Sequence, residues 1–162
     1  MNQEGIAKIG IDDFAKKLIG GLNSVELPNL GMNVKAGQPL FSVKQGSRSV
    51  TFNSPISGKV SQINTLLKDN LAALNVTPYE RNWFCALDTE NLDNEIKGLN
   101  IGKSAVAFFQ EDIQKFKVLI EDILKSEKRA GEYFEESGIY VGQLEKLNDV
   151  NWQKVVAEFF VR

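Results

Sequence analysis

The chain contains no histidine, one cysteine and four prolines among 162 residues, and no long apolar run. The first absence removes the commonest general base, most zinc and iron sites, and any Ser-His or Cys-His nucleophile arrangement. Cys85 alone cannot form an internal disulfide, and no basic-then-apolar leader opens the chain, so an intracellular, cytoplasmic protein is expected. The net charge is only −2 and the basic residues are scattered, which argues against nucleic acid or an anionic membrane as the main partner. Acidic pairs occur at Asp12-Asp13 and Glu135-Glu136, but their polar helical or loop settings suit caps and solvated faces. The composition therefore does not point to an enzyme.

What is present is an ordinary globular mixture, 43% apolar and 25% charged, sufficient for one domain or a domain with an extension. Ile6 to Ile11 alternates weakly, as a short strand does. Asp12 to Ile19 then carries acids first, lysines later and Gly20-Gly21 behind it, the signature of a short capped helix with Phe14 and Leu18 on one face. Ser24 to Leu27 is a strand ended by Pro28, and Gly31 and Gly37 mark turns. Pro39 to Val43 and Ser49 to Phe52 are β-rich runs on either side of a polar turn centred on Gly46, which predicts a hairpin. Gly58 to Asn64 alternates as a half-buried strand; Leu66 to Leu74 reads as a helical turn and loop, and Trp83 to Leu87 as a final strand. Short strands at this tempo predict a small curled sandwich or barrel.

From about Asn91 the pattern becomes helical. Val106, Phe109, Ile113, Phe116, Ile120 and Ile123 recur at steps of three and four, predicting one seam of a long helix from near Ser104 to Lys128. Phe108, Leu119 and Leu124 widen the stripe, which suits packing on the β core or a later helix better than a coiled coil. Gly131 and Gly138 bracket a break, and Asp149 is the expected N-cap of a last helix with Trp152, Val155, Val156, Phe159 and Phe160 on one side. That apolar face either folds back on the long helix or, in the sharper alternative, is a partner face made of Trp152, Val156, Phe159 and Phe160. Cys85, inside an apolar strand, is expected to be a small buried hydrophobe and not a reactive thiol.

Several stretches, in order and at related spacing, resemble the H protein of the glycine cleavage system, the lipoyl-carrying member of the lipoyl/biotinyl hybrid-sandwich family. They are Ile9-Gly10-Ile11-Asp12-Asp13-Phe14-Ala15, Val25-Glu26-Leu27-Pro28-Asn29-Leu30-Gly31, Val34-Lys35-Ala36-Gly37 and Ser54-Pro55-Ile56-Ser57-Gly58-Lys59-Val60. Asp69-Asn70, Leu74-Asn75, Pro78-Tyr79 and Trp83 follow, so the likeness covers roughly residues 5 to 110. It implies an α+β fold with a mainly β core: a lipoyl-domain-like hybrid barrel-sandwich with flanking helices and a C-terminal helical extension. The expected division is an H-protein-like unit at 1–97, without the family's first strand, and a helical segment at 98–162 packing on it.

In that family the modified lysine precedes a Ser-Pro pair by seven residues, and counting back from Ser54 lands on Ser47. A lipoyl arm is held by an amide to a lysine amine; a serine hydroxyl could form only a hydrolysable ester on a short stem, and the Arg48 guanidinium is a poor nucleophile. Three readings follow. The first is a non-lipoylated binding, scaffold or regulatory module with no cofactor. It would be recognised at its hairpin tip, at Gln45, Gly46 and Arg48, by protein partners such as enzymes of a glycine-cleavage-like or lipoate-handling system. The second is a working carrier modified at Lys44, shuttling an aminomethyl or similar group. The third, a catalyst, would need Glu26, Lys35 and Lys59 to converge on a pocket.

Overall fold

The computed structural model describes residues 5–72, 74, 82–127 and 142–160. Seven strands form two antiparallel sheets: β1 (Ile6–Gly10), β2 (Ser24–Glu26), β3 (Asn33–Val34), β4 (Pro39–Gln45), β5 (Arg48–Asn53), β6 (Gly58–Ile63) and β7 (Trp83–Asp88). One sheet has the order β1-β7-β6-β3 and the other β2-β4-β5. The sheets meet where Phe41 of β4 stacks on Phe84 of β7, ring centroids 4.3 Å apart, a parallel-plane contact that adds to the area both rings bury. Strand β7 is hydrogen-bonded on both sides and covered on both faces, so Phe84, Cys85, Ala86 and Leu87 are all fully buried. The mixed, sheet-rich architecture with C-terminal helices is the one the sequence predicts.

Helix α1 (Asp13–Ile19) follows β1 and buries Ala15, Leu18 and Ile19. Its N-cap is Asp12, whose Oδ1 accepts from the Ala15 N–H at 2.8 Å, the arrangement that satisfies an otherwise orphaned helix donor. Burial raises the Asp12 pKa above its ordinary value; bonds from the backbone, first that of Ala15, oppose the rise, and the Asp112 carboxylate adds to it. A raised folded-state value means that the stabilising contribution is full below the ordinary carboxylate pKa and is lost as pH rises through the folded value. Asp12→Asn keeps the cap and removes the half-buried charge. Its melting temperature relative to wild type is therefore expected to rise between about pH 4 and about pH 7; a gap constant across that range in thermal melts would count against this assignment.

A short turn of helix, α2 (Leu66–Asp69), precedes β7, and α3 (Leu92–Glu95) with a 3-10 turn at Ile96–Gly98 follows it. The long helix α4 spans Lys103–Ser126. Its predicted seam is only half realised: Phe116, Ile120 and Ile123 are buried, Phe109 and Ile113 are half-buried, and Val106 is 57% exposed. The reason is coverage. Among the described residues, Phe14 of α1 and Phe159 of the last helix meet Phe116 edge-on, each about 6 Å away by centroid, whereas Val106 in the first turns of α4 stays exposed.

The last helix, α5 (Asp149–Phe159), is capped by Asn148, whose side chain accepts from the Asn151 N–H. The cap is thus one residue earlier than predicted, and Asp149 is the first helical residue, where its charge complements the helix dipole. Glu127, just past the end of α4, accepts from both Asn148 and Asn151 side chains at 2.6 Å. One core cluster runs from the strands through α1 to α4 and α5. The predicted break at Gly131 and Gly138 lies outside the described residues. No helix among the described residues is long and apolar enough to cross a membrane.

Candidate functional site

The hairpin forms as the sequence predicts. Strands β4 and β5 pair from Pro39↔Asn53 to Gln45↔Arg48, leaving Gly46 and Ser47 as a two-residue turn. Gly46 has φ +59°, a left-handed conformation that glycine adopts without steric cost. Ser47 sits at the apex and is exposed.

Lys44 lies elsewhere. It is in β4, the central strand of its sheet, opposite Ser24 on one side and Ser49 on the other. Its ammonium is bonded to the Glu26 carboxylate, and its side chain is 41% exposed. Lys44 is thus one rung short of the last hairpin pair, paired within the sheet and bonded to a carboxylate, and not at the apex. An amide-linked group needs an amine; at the apex Ser47 offers a hydroxyl, and the nearest amine in the hairpin, that of Lys44, is paired with Glu26.

The other predicted tip residues are engaged within the chain. The Gln45 side-chain N–H donates to the Ile19 carbonyl and, at 3.2 Å, to that of Gly21. The Gly46 N–H donates to Asn23 Oδ1. Arg48 reaches across about a hundred residues of sequence: Nη1 donates to the Leu144 carbonyl at 3.1 Å and Nη2 to the Leu147 carbonyl at 2.7 Å. Its Nε and Nη2 face Asp149 Oδ1 at 3.0 and 2.8 Å. The guanidinium also lies 5.6 Å from the Trp152 ring centroid, within cation–π range.

Residues 142–149 therefore form a strap beside the tip. It begins at Gly142, whose N–H donates to the Lys17 carbonyl at 2.8 Å, and continues through a 3-10 turn at Gln143–Lys146. Glu145 accepts from the Gly21 N–H at 2.6 Å. Gly20 is required here twice over: its φ is +79°, and a Cβ would lie 2.3 Å from Glu145 Oε1 and 2.8 Å from the Gly142 Cα. Nothing local in the sequence announces this contact, because its partners are separated by 96 to 124 positions.

The proposed partner face is turned inward. Trp152, Val156, Phe159 and Phe160 are all nine-tenths or more buried, with Phe159 against Phe14 and Phe116 and Phe160 against Phe52. The helix folds back on the long helix, the first of the two readings, and the alternative partner face is not an exposed surface: the aromatic residues are taken up by the chain's own core. The three residues of the catalytic reading are also dispersed. Glu26 is in the three-stranded sheet bonded to Lys44, Lys59 is in the four-stranded sheet opposite Asn33 and Asp88, and Lys35 follows β3. Among the described residues no cluster of carboxylates and thiols has the makings of a metal site.

Cys85 is fully buried, and burial pushes its thiol pKa up to about 11. Because the thiolate is the reactive form, Cys85 is expected to be inert to a disulfide reagent at about pH 8 in the native protein and to react stoichiometrically after denaturation. A native-state reaction as fast as the denatured one would contradict the burial.

Comparison with known proteins agrees with the fold. A family model described as glycine cleavage H-protein matches residues 1–112. The chain is similar to a probable glycine cleavage system H protein of Thermococcus gammatolerans, 38% identical over 96 residues, which is 59% of this chain and 71% of the relative. It is also similar to the glycine cleavage system H protein of Oceanobacillus iheyensis, 33% identical over 109 residues, 67% of this chain and 86% of that one. Among solved structures, the crystal structure of a glycine cleavage system H protein from Mycobacterium marinum superposes with a TM-score of 0.51 at 27% identity, covering 56% of this chain and 71% of that one. The strap and α5 lie beyond the residues the family model matches. Proteins of this kind are carriers and not themselves catalysts, and on the match of residues 1–112 this chain belongs to the glycine cleavage H-protein family.

Proposed function

We propose that this chain is an H-protein-family module that does not carry lipoate and acts by binding, as a scaffold or regulator toward glycine-cleavage-type or lipoate-handling enzymes. The observation that supports the reading is the hairpin apex: Ser47 occupies it, seven residues before Ser54, the spacing at which the resemblance places the modified lysine, and a hydroxyl cannot form the amide that holds a swinging arm. A fold can persist after its chemistry is gone because its stability comes from the core and turns and not from an exposed tip. In this reading the unit at 1–97 is the inherited carrier scaffold, and the helical segment at 98–162 is an addition that works on it.

Family membership by itself favours the other reading, a working carrier modified at Lys44. Against it stand the place of Lys44 within the paired end of β4, not at the turn, and its bond to Glu26. The binding role is tested by titrating the purified chain into a lipoate-protein ligase and into each glycine-cleavage-type enzyme from the same organism, by calorimetry. A saturable complex with at least one of them is expected. No measurable heat with any, at concentrations that bind an ordinary H protein, would remove the binding role.

A further inference from the structure

We infer that residues 142–149 are an internal stand-in for a docking partner: they occupy one side of the hairpin tip, and a partner engages the tip by displacing them. This rests on the reading of the hairpin as a recognition element.

The strap and α5 are held by different physics. Helix α5 is anchored by buried aromatic contacts, Phe159 with Phe14 and Phe116 and Phe160 with Phe52. The strap meets the tip mainly through polar contacts: Arg48 to two backbone carbonyls and Asp149, and Glu145 to the Gly21 N–H. Two polar atoms, one in the hairpin and one in the strap, are poorly served. Gln45 Oε1 and Gln143 Oε1 are buried and accept no hydrogen bond, and a buried acceptor left unpaired offsets part of what the surrounding bonds contribute. Leu144 and Leu147 are nevertheless buried, so the closed strap is the resting state.

These properties suit a contact that can release while the helix behind it stays docked. They also define the chemistry of a displacing partner. The strap offers Arg48 a carboxylate and two backbone carbonyls at the end of a short turn, that of Leu144 also accepting from the Leu147 N–H. A competitor must offer the same: a segment with an acidic side chain and backbone carbonyls with a lone pair to spare, which a guanidinium fork binds well.

The test uses a lipoate-protein ligase with lipoate and ATP as a probe of access to the tip. Ser47→Lys installs an acceptor amine, and Glu145→Lys with Asp149→Lys loosens the strap by charge reversal at two exposed positions, leaving the residues of β4, β5 and the core otherwise unchanged. If access requires opening, the rate follows the open fraction. The triple variant is then expected to take up lipoate about tenfold or more faster than Ser47→Lys alone. Equal rates, with both proteins folded by circular dichroism, would overturn the inference and leave the absence of lipoate on the wild-type chain unaffected. If neither variant is modified, phenylglyoxal labelling of Arg48, mapped by peptide mass, decides. Faster labelling in Glu145→Lys/Asp149→Lys than in wild type supports the strap, and equal labelling rejects it.

Discussion

Phe116→Ala is expected to destabilise the protein by about 3–5 kcal/mol, the range for deleting a fully buried phenylalanine. Phe116 is 0% exposed and is the ring at which three helices meet, edge-on to Phe14 of α1 and to Phe159 of α5. Those two rings also touch each other, so the hole left by truncation is bounded on three sides and closes poorly. For a chain of this size the loss corresponds to a melting temperature lower by roughly 6–20 °C. Val106→Ala, on the same predicted seam but 57% exposed, is expected to change stability by no more than about 0.5 kcal/mol. Thermal or urea unfolding of the two variants checks both. Similar losses for the two would mean that the whole seam is buried and that the cover over α4 extends further than its last turns.

Arg48→Ala is expected to cost about 2–4 kcal/mol, an unusual figure for a residue at a hairpin tip. The Asp149 carboxylate is not the main reason. That side chain is 85% exposed, and an ion pair to such a group contributes about 0–1 kcal/mol. The larger part comes from the carbonyls of Leu144 and Leu147, which lose a charged donor, and from the Trp152 contact at 5.6 Å. Charge-assisted bonds of this kind are worth about 1.5–3 kcal/mol each, and bonds sharing one guanidinium do not add in full. Asp149→Ala should therefore be nearly silent, and Arg48→Lys should recover little, because a single ammonium cannot span both carbonyls and still reach Asp149. A set in which Asp149→Ala matches Arg48→Ala would show that the ion pair dominates.

Much of the fold was legible because it is local. The alternation of β4 and β5, the acids and glycines around α1, and the three-four spacing that ends in Phe116, Ile120 and Ile123 each report a neighbour within one strand or one turn of helix. What escaped was long-range. No pattern in the chain says that Arg48 will bind the carbonyls of Leu144 and Leu147, or that Glu145 will sit against Gly20 and Gly21. The apolar face of α5 was visible as a face, but whether it is covered depends on Phe14, Phe116 and Phe52, which lie far away in sequence, and the structure turns it inward. The early half of the α4 seam failed for the mirror reason: periodicity names a stripe and not the length of the surface opposite it. At the site itself, Ser47 was located by spacing to Ser54, whereas the engagement of Lys44 by Glu26 required the register of β2 against β4.

Intact mass spectrometry of the purified wild-type chain, after incubation with lipoate, ATP and a lipoate-protein ligase that modifies an ordinary H protein in the same assay, tests the empty hairpin most directly. An unchanged mass is expected. A gain of one lipoyl group that disappears in Lys44→Ala would contradict it and make this chain a carrier.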